Sequence, residues 1–392
     1  RRKYNYYSMS INNVINYWFI IEPYVYIRIT TKAVLLYNTL DGSYVLSSRE
    51  EIIELVKKIL DKKNVGVVLL EADELNKEVI LRFIEEVRSK FIGDIINTRL
   101  SSQKPIQVIP TLNSLDDNKF EVYKRQNFPL LTNLFENLHK IELNIDEQTN
   151  ITQLIKFLLP LNEGVTLNIC FNIPGSNVLN KHELMNFLAK YNLKKIISSS
   201  YQIPFMVYDI FTDFKMKIDL PLDLESFLKA QTLIKKNNIE PEYIFEVKSE
   251  KDCEDAEYII EQYHLEKYNI KPIYTGQNLS FFQKNVFLSE VDILSQPLSL
   301  KDVYLRQMIN IFYFGRLCVM PDGKVYSNIH GPIIGNVTDN IKDILQREVQ
   351  EGHSWFYVRR HSPCNDCVFQ WLCPSPSEYE SQIGIPNLCH VC

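Results

Sequence analysis

The sequence predicts an α/β protein whose largest element is a mostly parallel sheet. Strand-like runs alternate with amphipathic helical runs between residues 100 and 305. Such alternation requires right-handed crossovers, so we expect a parallel sheet, open or partly closed into a (β/α) barrel. A hairpin with short helices precedes this region, at 20–95, and a cysteine-rich region follows it, at 306–392.

The first region, 20–95, is predicted to be a small α+β module. "YVYIRIT" and "AVLLYN" read as strands, and Asp41-Gly42 is a strong hairpin turn signal. Apolar residues recur at helical spacing in "REEIIELVKKIL", and Ser48 with Glu51 has the spacing of a capping box at its start. "VGVVLL" predicts a further strand and "NKEVILRFIEEVRSKF" a second amphipathic helix.

The second region, 100–305, carries the predicted sheet. The strand candidates are "IQVIPTL", "KIELNI", "VTLNICFNI", "KKIISSS", "EYIFEV" and "IKPIYT". The helices predicted between them are "ITQLIKFLLPL", "NKHELMNFLAKYN", "DLESFLKAQTLIKKN" and "DCEDAEYIIEQYH".

Charge and composition indicate which classes of partner to expect. The formal net charge is −5 and no long basic run occurs, which argues against a nucleic-acid partner. The apolar stretch near the start is interrupted by Asn12, Asn13, Asn16 and Glu22, so it predicts neither a signal peptide nor a membrane span. We expect a cytoplasmic protein with no membrane partner, and clustered rather than scattered cysteines fit that expectation.

Five of the eight cysteines lie between 364 and 392. Cys364, Cys367 and Cys373 have the spacing C-x2-C-x5-C, and Cys389 or Cys392 can supply a fourth thiolate. Four thiolates suit Zn²⁺ or an iron–sulfur cluster, and the spacing does not choose between them. His361 or His390 could replace one thiolate. The alternative is a set of unrelated buried thiols or a disulfide pair.

Together with "PDGKVYSN" and "IIGNVTDNIKDIL", this cysteine spacing resembles the SPASM domain of radical SAM peptide maturases, over about the last 80 residues. In that family the hairpin and the later cysteines bind two auxiliary [4Fe–4S] clusters. Here Asn328 and Ser377 stand where the family has cysteines of the first auxiliary site. The resemblance therefore implies one auxiliary cluster, held by Cys364, Cys367, Cys373 and Cys389, with Cys392 as the alternative fourth ligand. Cys318 is expected to be a buried, structural residue.

A radical SAM enzyme also needs C-x3-C-x2-C after its first barrel strand. The segment "NSLDDNKF", which follows "IQVIPTL", contains no cysteine, and no cysteine precedes Cys170. The family's glycine-rich contact with S-adenosylmethionine is missing as well, because no glycine lies between Gly93 and Gly164. We therefore expect no S-adenosylmethionine and no catalytic residues. Cys170 and Cys253 have no partner at ligand spacing and are expected to be structural.

A degenerate barrel with a SPASM-like tail resembles the pseudo-radical-SAM proteins of Bacteroidales peptide-maturation systems. The resemblance implies a partial (β/α) barrel of radical SAM type and a winged-helix-like module at 20–95. It implies an accessory role, with a ribosomally synthesised Gly-Gly precursor peptide and an active radical SAM maturase as partners. The alternatives are a redox enzyme that acts on a peptide through the remaining cluster, and a zinc-stabilised binding module.

The aromatic residues of the first region bear on peptide binding. They could anchor the leader of a precursor, or they could only build the core of the module: Tyr24, Tyr26, Tyr37 and Tyr44.

Overall fold

The computed structural model describes residues 15–107, 134–172, 180–190, 193–202, 213–351 and 354–391. They form two compact units. The first unit contains the described residues up to 107 together with 291–304 and 362–373. The second contains the described residues of 134–290, 305–361 and 374–391. Residues of the predicted cysteine-rich region, 306–392, are thus found in both units.

The first unit contains two three-stranded antiparallel sheets. One has the order β2-β3-β4 and the other the order β5-β1-β6. Their strands are β1 (Tyr17–Ile21), β2 (Val25–Ile29), β3 (Val34–Asn38), β4 (Tyr44–Ser47), β5 (Val67–Leu70) and β6 (Gly93–Asn97). The helices that accompany them are α1 (Glu50–Leu60), α2 (Ala72–Leu75) and α3 (Glu78–Ser89).

The predicted strands, hairpin and helices of this module are present, and β1 and β6 are additional. Apolar residues of α1 and α3 pack with both sheets into one core, which includes Ile52, Val56 and Phe83. The capping-box prediction was wrong. Helix α1 begins at Glu50 with Arg49 as its N-cap, and no side chain caps it.

The second unit is built on a nine-stranded sheet with the order β12-β11-β10-β9-β8-β7-β13-β14-β15. Strands β7 to β12 run parallel and follow chain order, β13 is parallel to β7, and β14 and β15 are antiparallel. The strands are β7 (Lys140–Ile145), β8 (Thr166–Phe171), β9 (Lys194–Ser200), β10 (Asp213–Asp219), β11 (Glu242–Val247), β12 (Tyr268–Pro272), β13 (Arg316–Val319), β14 (Lys324–Tyr326) and β15 (Gly335–Asn336).

The prediction of an α/β fold with a large, mostly parallel sheet is confirmed. "KIELNI", "KKIISSS" and "EYIFEV" coincide with β7, β9 and β11. The candidate "IQVIPTL" lies outside the described residues except for Ile106 and Gln107, which are not in a strand. Strand β13 occupies the place beside β7, and β10 is a strand that the sequence analysis missed.

Four helices link the parallel strands and cover one face of the sheet: α4 (Ile151–Leu158), α5 (Lys181–Lys190), α6 (Leu224–Lys236) and α7 (Glu250–Tyr263). Alternate strand residues pack against them, as Leu143 of β7 packs with Leu154 of α4 in one core and Phe245 of β11 with Phe227 of α6 in another. Right-handed crossovers between neighbours in chain order place the linking helices on the same side.

The other described helices of the chain are α8 (Leu279–Asn285), α9 (Glu290–Leu294), α10 (Leu300–Met308), α11 (Ile341–Glu351) and α12 (Glu378–Ile383).

Side chains cap the N-termini of three of these linking helices. Asn150 accepts a hydrogen bond from the Gln153 amide, Asp223 accepts from the Ser226 amide, and Ser249 accepts from the Asp252 amide. Each satisfies an amide that has no partner within its helix.

Among the described residues, no helix combines the length and the apolar composition needed to cross a bilayer.

Gly315 sets the entry of β13 into the sheet. Its φ is +71°, and its carbonyl accepts from the amides of His139 and Lys140 at 2.7 and 3.1 Å. A Cβ there would lie 2.2 Å from the Asn137 carbonyl oxygen. We predict that Gly315→Ala lowers the free energy of unfolding by about 1–3 kcal/mol, measured by urea denaturation.

Gly164→Ala is the matched control, because a Cβ at Gly164 meets nothing within 4 Å. We expect it to change stability by less than about 0.5 kcal/mol. Equal effects of the two substitutions would contradict this account of the β13 entry.

Candidate functional site

Three of the five predicted metal ligands lie in one buried segment of the first unit. Cys364 begins a short 3₁₀ turn, and the Cys367 amide donates to the Cys364 carbonyl at 3.1 Å. The Cys373 amide donates to the Phe369 carbonyl at 2.9 Å, and all three thiols are buried.

Side chains of strand β2 and of the turn after it form hydrogen bonds with this segment. The Arg28 guanidinium donates to the Asn365 carbonyl at 2.6 Å, and the Thr31 hydroxyl donates to the Asp366 carboxylate at 2.9 Å. The hydrogen bonds from Thr31 lower the pKa of Asp366 from its usual value. The predicted cysteine motif is therefore attached to the predicted recognition module within one unit.

Hydrogen-bond donors without acceptors gather beside the motif. The Tyr26 hydroxyl, the Tyr304 hydroxyl and Arg28 Nε are buried and have no hydrogen-bond partner among the described residues. They are neighbours: burial raises the pKa of Tyr26, and the electrostatic interactions that act on it come from Arg28, Cys367 and Tyr304. Buried polar groups are seldom left unsatisfied, so these donors, grouped around Tyr26, indicate that an acceptor belongs there.

The remaining predicted ligands belong elsewhere. Cys389 lies in the second unit, in a short bridge with Leu288, and accepts from Asn387 Nδ2 at 3.1 Å. Cys392 lies outside the described residues. Of the alternative ligands, His390 Nε2 lies 2.8 Å from the Gln283 carbonyl, and His361 stacks on Tyr357.

Cysteine thiolates are suitable donors for zinc or for an iron–sulfur cluster, and an acceptor such as bound sulfur would suit the unsatisfied donors around Tyr26. However, no group of three or more His, Cys, Asp or Glu side chains is placed to hold a metal ion within the described ranges. The chemistry of the segment fits the predicted group, but the described side chains are not assembled as its ligands. The metal site stays a prediction.

The positions where the SPASM pattern would have cysteines serve local structure. Asn328 Oδ1 accepts from the His330 amide at 3.0 Å. Ser377 is the N-cap of α12 and forms a capping box with Glu380. Cys318 and Cys170 are buried in β13 and β8, as predicted, and Cys253 is half-buried in α7.

The second unit has a polar face, opposite the helices. Its strands present charged, amide, hydroxyl and thiol groups there in adjacent rows, such as Cys318–Glu142–Asn168 and Asp219–Glu246–Lys271. Most of these side chains are buried or half-buried. Burial raises the pKa of the Cys318 thiol to about 12, with nearby Glu142 acting in the same direction, so this thiol is protonated at neutral pH.

Side chains in the loop after β7 accept hydrogen bonds from amides of the same loop. The Gln148 amide donates to Asp146 Oδ1 at 2.8 Å, and the Asp146 amide donates to Thr149 Oγ1 at 2.9 Å. The loop contains neither cysteine nor glycine. The amides of Asp146, Gln148 and Thr149 are thus engaged within the turn rather than directed at a ligand.

A groove in the first unit lies between the edge strand β4 and helix α3. Its volume is about 290 Å³. One wall carries Leu46 and Ser47 of β4, and the other carries Val79 and Phe83 of α3. Leu46 is 40 % exposed.

The aromatic residues divide between core and surface. Tyr26 and Tyr37 are 1 % exposed, so they are not available as surface anchors. The Tyr37 hydroxyl accepts from the Leu298 amide at 2.9 Å. Tyr24 and Tyr44 are half-buried, and Lys90 Nζ lies 5.7 Å from the centre of the Tyr44 ring.

Compared with known proteins, the chain matches no protein family, no curated protein and no solved structure.

If the buried thiols bind metal, Cys364→Ser combined with Cys367→Ser should remove most of the zinc or iron from anaerobically purified protein, because two donors are lost. Elemental analysis by inductively coupled plasma mass spectrometry gives the metal per chain. Cys253→Ser is the control, since Cys253 is a half-buried thiol of another unit. Equal metal content in the wild type, the double variant and Cys253→Ser would reject the site.

Proposed function

We propose that this protein is a catalytically degenerate, radical-SAM-like accessory protein that binds a ribosomally synthesised precursor peptide. Its partners would be that peptide and an active radical SAM maturase. The observation that carries the proposal is the groove between β4 and α3. The winged-helix-like role predicted for this module belongs to the same proposal.

The backbone of β4 supports peptide addition at this groove. The Asn38 amide donates to the Ser43 carbonyl at 2.8 Å, and hydrogen-bonded pairs alternate along an antiparallel ladder. By this alternation the backbone N–H and C=O groups of Val45, which lies opposite Leu36, point toward β3. The corresponding groups of Leu46 point to the open edge of the sheet. The Tyr44 carbonyl follows the same rule, since it accepts from Lys90 Nζ at 2.6 Å.

An extended peptide could therefore add to β4 as a fourth strand and rest on α3. Main-chain hydrogen bonds give such complexes their affinity, and side-chain pockets give specificity. The helix wall offers both apolar and charged contacts. Glu78 pairs with Arg82, and Glu86 pairs with Lys90, so the rim of the groove carries both signs of charge.

The order of the large sheet supports the radical-SAM-like part of the proposal. Parallel strands in uninterrupted chain order, with their helices on one side, are the arrangement of a (β/α) barrel rather than of a doubly wound sheet, whose order reverses. We infer that the polar face lines an open, partial barrel. The loop after β7 supports a degenerate site, because it contains no cysteine or glycine and its Asp146 and Gln148 amides are engaged by Thr149 and Asp146.

The cysteine motif is assigned a structural or redox role as the site of one auxiliary [4Fe–4S] cluster or of zinc. Two observations support this assignment, the burial of the three thiols and the donors that lack acceptors beside them.

Peptide binding is tested with the full-length protein and a displayed library of random 12-residue peptides. We predict that the enriched peptides bind Leu46→Glu at least about tenfold more weakly than the wild type, because the substitution puts a charge in the groove wall. Isothermal titration calorimetry with a synthetic enriched peptide measures the affinities.

Leu40→Glu is the matched control, because Leu40 is a 69 % exposed leucine of the same module that does not line the groove. It should bind as the wild type does. Failure to enrich any peptide, or equal weakening by both substitutions, would count against peptide binding at β4.

A further inference from the structure

A second concave site, which shares no lining residue with the proposed peptide groove, lies in the second unit. It has a volume of about 300 Å³, which is at the small end of ligand pockets. Apolar side chains from well-separated segments form much of its wall: Val286, Leu288, Phe312, Pro374 and Leu388.

Tyr313 adds an unsatisfied polar group to this pocket. The side chain is 5 % exposed, and its hydroxyl has no hydrogen-bond partner among the described residues. The charged groups that act on this hydroxyl are Arg316, Glu378 and Glu380, and all three line the same pocket. The hydroxyl therefore lies among the lining groups rather than in a separate part of the core.

The charges of the pocket are already neutralised by protein partners. Arg316 pairs with Glu142 at 2.6 Å. Arg359 and Glu380 form a buried pair at 2.7 Å, and Glu378 pairs with Lys271 at 3.1 Å. Removing one partner of a buried pair is costly, so a charged ligand would have to compete with these contacts. A neutral ligand would leave them intact.

We propose that this pocket binds a small neutral molecule with an apolar body and one carbonyl oxygen, which accepts a hydrogen bond from the Tyr313 hydroxyl. The apolar wall supplies most of the affinity through burial. The hydroxyl supplies selectivity, because a ligand without an acceptor leaves it unsatisfied.

Two probes of nearly equal shape, acetophenone and isopropylbenzene, differ in the carbonyl group. Their affinities for the full-length protein are measured by ligand-observed NMR titration. We expect wild-type protein to bind acetophenone about three- to tenfold more tightly than isopropylbenzene, which is the contribution of one neutral hydrogen bond. Tyr313→Phe keeps the ring and removes the donor, so it should lose the preference for acetophenone.

Tyr243→Phe is the control, because the Tyr243 hydroxyl is hydrogen-bonded to Gln231 and does not line the pocket. It should keep the preference for acetophenone. The proposal is overturned if the wild type binds neither probe, if it binds both equally, or if Tyr313→Phe keeps the wild-type preference.

Discussion

The second unit depends on one constraint, namely that its strands β7 to β12 lie parallel and side by side in the order of the chain. Each right-handed crossover then returns its helix to the same side, and alternate strand residues such as Leu143 and Phe245 are buried there. The intervening residues face the other way and are mostly charged or polar. A sheet covered by helices on both faces would bury such residues at great cost. The same constraint leaves β7 with an open side, which β13 occupies.

Periodicity alone located the strands whose pattern is strong. In β7 and β11 every second residue is a buried apolar one, and β9 is rich in isoleucine. Strand β10, "DFKMKID", was missed because its alternate residues are charged and its apolar set is short. Strand β1 is not predicted, because an apolar run near the start of the sequence also suggests a targeting segment. It lies in the middle of its sheet, between β5 and β6, which explains that run.

The candidate sites divide in the same way. The cysteine spacing is local, so Cys364, Cys367 and Cys373 could be selected from the sequence. The hydrogen bonds that attach this segment to Arg28 and Thr31 join residues more than 300 positions apart, and no local sequence pattern predicts them. The sequence leaves open whether the tyrosines of the first region anchor a peptide or build the core, and Tyr26 and Tyr37 lie in the core. The pocket at Tyr313 was not foreseen, because its wall is assembled from separate segments between 286 and 388.

The polar face and the proposed partial barrel both depend on the strand order of the large sheet. Hydrogen–deuterium exchange of the native protein, resolved by fragmentation mass spectrometry, tests it directly, because interior strands donate and accept on both sides and edge strands on one. The account predicts that amides of β8 and β9 exchange more slowly than those of β12. Exchange of β8 or β9 at the rate of an edge strand, with β12 protected, would contradict it.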